Sequence, residues 1–209
     1  MTMNATDWLP LFPLRTVLFP GGVLPLRVFE TRYVDMVRER MKANAPFGVV
    51  AIRSGVEVGK AAEPCVVGTL AHIMEWDMPE LGVLLLETRG GERFKVLETR
   101  VQANQLTEAK IEMLASSTDI FCDDALPVCG DVLETVINDF MDQSSAQADQ
   151  NFVNPFPEPH QLNSPSWVAN RWSEMLPITI EEKQALLEIQ DDGARLLKIE
   201  QYLRENRII

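Results

Sequence analysis

Residues 9–33 read LPLFPLRTVLFPGGVLPLRVFETRY, an almost wholly apolar stretch that carries four prolines and a Gly-Gly pair. No other stretch limits the fold as sharply. Apolar density demands burial, while proline removes a backbone donor and belongs at edge strands, strand starts and bulges. Pro10, Pro13, Pro20 and Pro25 therefore cut the stretch into short pieces. LFPL and VLPLRVF are strand-sized. FPGG (19–22) between them is a turn, in which Pro20 sets φ and Gly21 or Gly22 takes a positive φ. Edge prolines also keep a sticky strand from recruiting other chains. Short, irregular strands around a small barrel satisfy both demands.

Beyond Phe29 the period changes. ETRYVDMVRERMK (30–42) places Tyr33, Met36, Val37 and Met41 near helical spacing. FGVVAIR (47–53) is a buried-type strand, and CVVGTLAHIMEW (65–76) is a long or bent one. GVLLLETR (82–89) and ERFKVLETRV (92–101) flank Gly90-Gly91, which reads as a two-residue hairpin. LTEAKIEML (106–114) reads as a last strand, although its Ala-Lys-Glu composition also allows helix. Six or so strands with one early helix describe an α+β unit on a curled, barrel-like sheet.

The second half reads as helices. Asp123-Asp124 caps a helix over 125–142, with Val132, Val136, Ile137 and Phe140 on its apolar stripe. A loop over 143–166 carries four prolines and few aliphatics. A further helix starts near Trp167 and stops at Pro177. Thr179-Ile-Glu-Glu182 is a capping box before the next, and Asp191-Asp192 starts the last, with Leu196, Ile199 and Leu203 on one face. Charge follows the same division. Residues 1–115 hold 13 basic and 14 acidic side chains, residues 116–209 hold 6 and 17. The boundary is therefore set between a β subdomain, 8–115, and a helical subdomain, 116–209.

The chemistry of catalysis is hard to find. SGVEVGKA (54–61) is a residue short of a phosphate-binding loop and lacks its hydroxyl, so it reads as a connection. His72 and His160 lie far apart, no CxxC occurs, and no GxSxG elbow appears. Asp119, Cys122, Asp123 and Asp124 cluster before a helix and read as caps, with Cys122 held protonated by its acidic neighbours. No cofactor, metal or catalytic residue is expected. With no apolar run near the roughly 20 residues of a membrane span and an odd count of 3 cysteines, the chain reads as cytoplasmic, reduced and free of the membrane.

The motif set LPLFPLRTVLFPGGVLPLRVFETRY, FGVV, GERFKV and MLPITIEEKQALLEIQDDGARL resembles the N-terminal, substrate-recognising domain of Lon proteases over roughly residues 8–205. A similar module occurs in cereblon, a ubiquitin-ligase receptor. The resemblance implies a PUA-like β pseudo-barrel with one early helix, followed by a C-terminal helical bundle. It also implies that Pro20, Gly21, Phe29, Glu30, Arg32, Tyr33, Gly91, Arg93 and Phe94 serve mainly as fold determinants. No segment matches the family's ATPase or Ser-Lys peptidase, so neither activity is carried over.

The leading expectation is a non-catalytic protein-binding module for an unfolded client or an adaptor's partner. Its candidate surface is Trp76, Met78 and Leu81 around a strand-to-strand turn, because aromatic and Met side chains suit adaptable binding. A second candidate is Phe152, Phe156 and Trp167 around the long loop. The alternative is RNA binding, by fold analogy. Its candidate cations are Arg89, Arg93, Lys95 and Arg100, a small patch against a net charge of −12, and nucleic acid is disfavoured. A small-molecule sensor is a third class. An apolar patch on an acidic surface is compatible with a homodimer.

Overall fold

The computed structural model describes residues 8–115, 122–147, 154–156 and 158–209. It is an α+β protein, as expected. Its elements run β1 (Leu9–Leu14), β2 (Val23–Val28), α1 (Thr31–Ala43), β3 (Phe47–Ser54), β4 (Glu63–Glu80), β5 (Val83–Val101), β6 (Thr107–Leu114), α2 (Ala125–Gln147), α3 (Pro165–Met175), α4 (Ile180–Glu188) and α5 (Asp192–Glu205). Chain contacts divide it into two compact units. One holds the described residues up to Ala115 together with Ile178–Glu188, and the other holds the rest. Helix α4 thus lies with the strands, although its sequence neighbours are helical.

In the first unit the strands run β2-β5-β4-β3-β1-β6, and β6 pairs back onto β5. Five strands therefore form a closed ring, with β2 laid along the first half of β5. Within the ring, closure removes edges that would otherwise recruit other chains. β1 and β3 are parallel, with β2 and α1 as the crossover between them. The prolines of β1 do not mark an edge strand. Leu9 and Pro10 pair with β6, while Leu11–Leu14 pair with β3. Each proline sits where one flank of the strand is open, so its missing donor costs little. Pro25 does lie on an edge strand, β2.

The FPGG turn forms as read: Gly22 N donates to Phe19 O at 3.0 Å, and Gly21 has φ 76°. The second Gly-Gly pair is not a hairpin. Gly90 and Gly91 lie inside the continuous strand β5. A Cβ on Gly90 would stand 2.2 Å from Phe19 O, and one on Gly91 would stand 2.6 Å from His72 Nε2. Gly90 also exchanges hydrogen bonds with the first turn, Gly21 N to Gly90 O and Gly90 N to Gly22 O, both 2.8 Å. Glycine is present here for close backbone approach. The real hairpin turns at Leu81-Gly82, where Glu80 faces Val83.

The interior has two apolar clusters. One gathers Leu9, Leu11, Val50, Leu70, Phe94 and Ala109. Burial of Phe94 alone contributes about 2–3 kcal/mol. The other packs the buried stripe of α1 (Tyr33, Val34, Met36 and Val37) on Phe12, Val28, Phe47 and Leu84. Thr69 and Thr88 are buried in the sheet, and their hydroxyls donate to Leu18 O at 2.6 Å and Leu24 O at 2.8 Å.

In the second unit, Leu133 and Ile137 of α2, Val168 and Trp172 of α3, and Leu196 and Ile199 of α5 are buried. Trp172 Nε1 donates to Cys129 O at 3.0 Å. Ser164 caps α3, and Asp191 caps α5 through Ala194 N at 2.7 Å. The fully buried Arg195 reaches Asp192 at 3.1 Å, Asn170 Oδ1 at 2.7 Å and Ile189 O at 2.6 Å.

Candidate functional site

Most of the residues singled out by the family motifs build the barrel. Glu30 takes the N-cap position of α1, but its side chain turns aside to Arg32 at 3.0 Å and accepts from Gly59 N at 3.2 Å. Arg32 donates to Gln105 O at 2.8 Å and lies over the Tyr33 ring. Tyr33 stacks on Phe12 with ring centroids 4.1 Å apart. Burial pushes its phenol up to about 12, against the lowering effect of Arg32. The loop once compared with a phosphate cradle is tied down from several sides. Ala61 N donates to Gln105 Oε1, Glu57 accepts from Arg15 N, and Gly59 N is held by Glu30. Phe29 departs from this set, since it is 55% exposed beside Val58 in a shallow dent.

Arg93 and Phe94 adjoin on β5, and both are buried. Phe94 fills the ring interior. Arg93, only 1% exposed, donates to Leu187 O at 2.7 Å. That carbonyl belongs to the last turn of α4, where helix carbonyls lack partners and a cation is favoured. Gln184 of the same helix donates to Val67 O of β4 at 3.0 Å. The capping box starts α4 as read, with Glu182 N to Thr179 Oγ1 at 3.2 Å and Thr179 N to Glu182 Oε2 at 2.8 Å. These contacts dismantle the cationic patch. Arg93 is inside, and Arg100 pairs with Glu108 at 2.8 Å and covers the Trp8 ring.

The candidate surface at the β4–β5 hairpin is divided. Trp76 is 55% exposed and Leu81 is 97% exposed, while Met78 packs against the core cluster. Simple alternation would put Trp76 and Met78 on one face; register shifts between Ile73 and Glu75 and between Asp77 and Glu80 break it, and Leu81 lies in the hairpin turn. Trp76 instead belongs with Met74, also more than half exposed, and with His72 and Ile73. These line one wall of an open cleft of about 430 Å³. The other wall is the end of α1: Arg40, Met41, Asn44 and Ala45. Asn44 stops that helix in the left-handed conformation, φ 46°. Met41 and Ile73 rest their inner sides on the core. The cleft thus offers a sulfur-and-indole wall that adapts to varied apolar side chains, facing a guanidinium.

Of the second candidate set, the described members Phe156 and Trp167 do not form an exposed surface. Phe156 is buried and meets Phe140 edge-on at 5.6 Å. Trp167 is half-buried, with the His160 ring 5.7 Å away. His160 is half-buried and lies 3.1 Å from Phe156 O. Phe152 and Asp119 lie outside the described residues.

Among the described residues no group of three His, Cys, Asp or Glu side chains is placed to hold a metal ion. No described helix is long and apolar enough to cross a membrane. The described cysteines are free thiols. Cys122 is raised first by burial and then by Asp123 and Asp191, while burial takes Cys129 up to about 11. Neither thiol is poised as a nucleophile.

Comparison with known proteins agrees with this geometry. Residues 8–205 match the family model described as the ATP-dependent protease La (LON) substrate-binding domain. A Lon protease of Anaeromyxobacter dehalogenans is 30% identical over 205 residues, 96% of this chain and 23% of that protein. Protein cereblon of Gallus gallus is 34% identical over 110 residues, 51% of this chain and 24% of that protein. The chain thus spans about a quarter of these curated relatives. Among solved structures, a Lon N-terminal domain protein from Xanthomonas campestris superposes with a TM-score of 0.72 at 31% identity. It covers 92% of this chain and 96% of that one.

Proposed function

The chain belongs to the family of Lon substrate-binding domains, and on that premise we propose that it engages extended or unfolded polypeptide through the cleft between the end of α1 and the outer half of β4. It does so without bond-making chemistry of its own, holding a client or presenting it to a partner. The observation that carries this reading is the exposed pair Met74 and Trp76, set on a rigid strand against a cleft large enough for bulky apolar side chains. Exposed apolar side chains grouped on one site mark binding surfaces. Their inner neighbours Ile73 and Met41 hold the wall in place.

The test is binding of the purified chain to a labelled, permanently unfolded polypeptide at about 150 mM salt, where the screening length is ~8 Å. A folded protein and a structured RNA serve as controls. The unfolded chain binds, and the combined Met74→Ala and Trp76→Ala variant loses that binding by about tenfold or more. Binding that survives the double substitution moves the site elsewhere. Binding to the RNA alone replaces this function with nucleic-acid recognition.

A further inference from the structure

We infer that polypeptide adds as a strand to the open edge of β4 between His72 and Glu80, and that the preferred segments alternate apolar residues with Lys or Arg. This inference rests on the polypeptide-binding reading and specifies its mode and chemistry. The edge is a product of unequal strand lengths. The β3–β4 ladder stops at Phe47 opposite Ala71, whereas the β4–β5 ladder continues to Glu80 opposite Val83. From His72 onward, among the described residues, β4 has a ladder partner on one side only. Strand β3 begins only at Phe47, and Asn44 and Ala45 just before it line the cleft. The cleft therefore begins where the ladder ends, and backbone groups and side-chain wall are offered together. Strand addition uses both, main-chain bonds for affinity and alternate side chains for selection.

Charge selects the occupant. Residues 61–88 contain no Lys or Arg. Glu75, Asp77 and Glu80 are exposed along the open edge. A second copy of this chain would bring the same acids into register and repel, so the edge is protected against self-pairing. A segment carrying Lys or Arg at alternate positions meets those carboxylates, and its apolar residues reach Met74 and Trp76. The opposite wall of the cleft carries Arg40, whose Nε is buried without a hydrogen-bond partner. Strand β2 likewise pairs with β5 alone, but Pro25 interrupts its edge.

The experiment uses the full chain and three labelled peptides of about nine residues, the length of the open edge. One alternates Val and Lys, one alternates Val and Glu, and one is the Val-Lys peptide N-methylated on consecutive central nitrogens. The permanently unfolded polypeptide is measured alongside. The Val-Lys peptide binds about tenfold or more tightly than either control, and Glu75→Lys with Asp77→Lys reverses the preference between Lys and Glu peptides. Both substituted residues are exposed, and an unchanged thermal midpoint verifies that the variant is folded. Equal binding of the Val-Lys peptide and its N-methylated form overturns strand addition. Equal binding of all three peptides, with the unfolded polypeptide still bound, overturns this inference and leaves the polypeptide-binding function standing. No binding of any peptide or of the unfolded polypeptide overturns both.

Discussion

The two halves of β4 both carry large apolar side chains and meet different fates. From Val67 to Ala71 the strand lies between β3 and β5, and every residue is buried. From His72 to Glu80 it keeps β5 and loses β3, and most side chains are exposed, Met74 and Trp76 among them. The outer half also carries three acids, Glu75, Asp77 and Glu80, but large apolar side chains occur in both halves. What separates them is whether a second neighbour covers the strand. Burial in a sheet is a property of the ladder, and a long strand can serve as core at one end and as binding surface at the other.

Substitutions sharpen that contrast. The largest effect is expected in the covered half. Gly68→Val would place a Cβ 2.6 Å from Val49 O and 2.7 Å from the Phe94 ring. The cost is expected at about 4 kcal/mol or more, seen as loss of the cooperative unfolding transition. Next comes Arg93→Ala, which strips the guanidinium from Leu187 O and is expected to cost about 2–4 kcal/mol in chemical denaturation. Third is Tyr33, whose folded pKa of about 12 exceeds the ordinary 10. Its contribution is full below pH 10 and is lost as pH rises through 12. Wild type should therefore lose up to about 2–3 kcal/mol across that window, and Tyr33→Phe should flatten the loss. The smallest effect belongs to the open half. Leu81→Ser at the hairpin tip is expected to change stability by less than about 0.5 kcal/mol. A loss as large as that at Gly68 would break the comparison, because it would mean that the outer half is also covered.

The sequence made local features legible where they rest on local physics. The FPGG turn, the Thr179–Glu182 box, the Asp191 cap and the period of α1 all form as read. The misreadings share one cause. Gly90-Gly91 has the composition of a hairpin, but its reason for being glycine is Phe19 O, far away in sequence. Pro10 and Pro13 suggested an edge, but β1 changes partners in mid-strand. For the candidate site, Trp76 was legible as an exposed aromatic on a strand. Met78 was misassigned because bulges reset the alternation. Arg40, Met41 and Asn44 were missed as cleft residues. Their helical spacing says which face of α1 is buried, and nothing in it says that the helix stops beside β4.

The bond between Arg93 and Leu187 joins residues 94 positions apart, and it bears on how the protein is made. A ribosome completes all six strands before α4 exists, and it must first deliver α2 and α3, which belong to the other unit. During that interval the nascent barrel lacks the Leu187 carbonyl that Arg93 meets and the Gln184 donor to Val67 O. The barrel reaches its final hydrogen-bonded state only when the chain through α4 has emerged. A release of the chain near residue 115, by cleavage or truncation, yields all the strands without the helix that completes them. Such a fragment is expected to be recognised in the cell as unfinished.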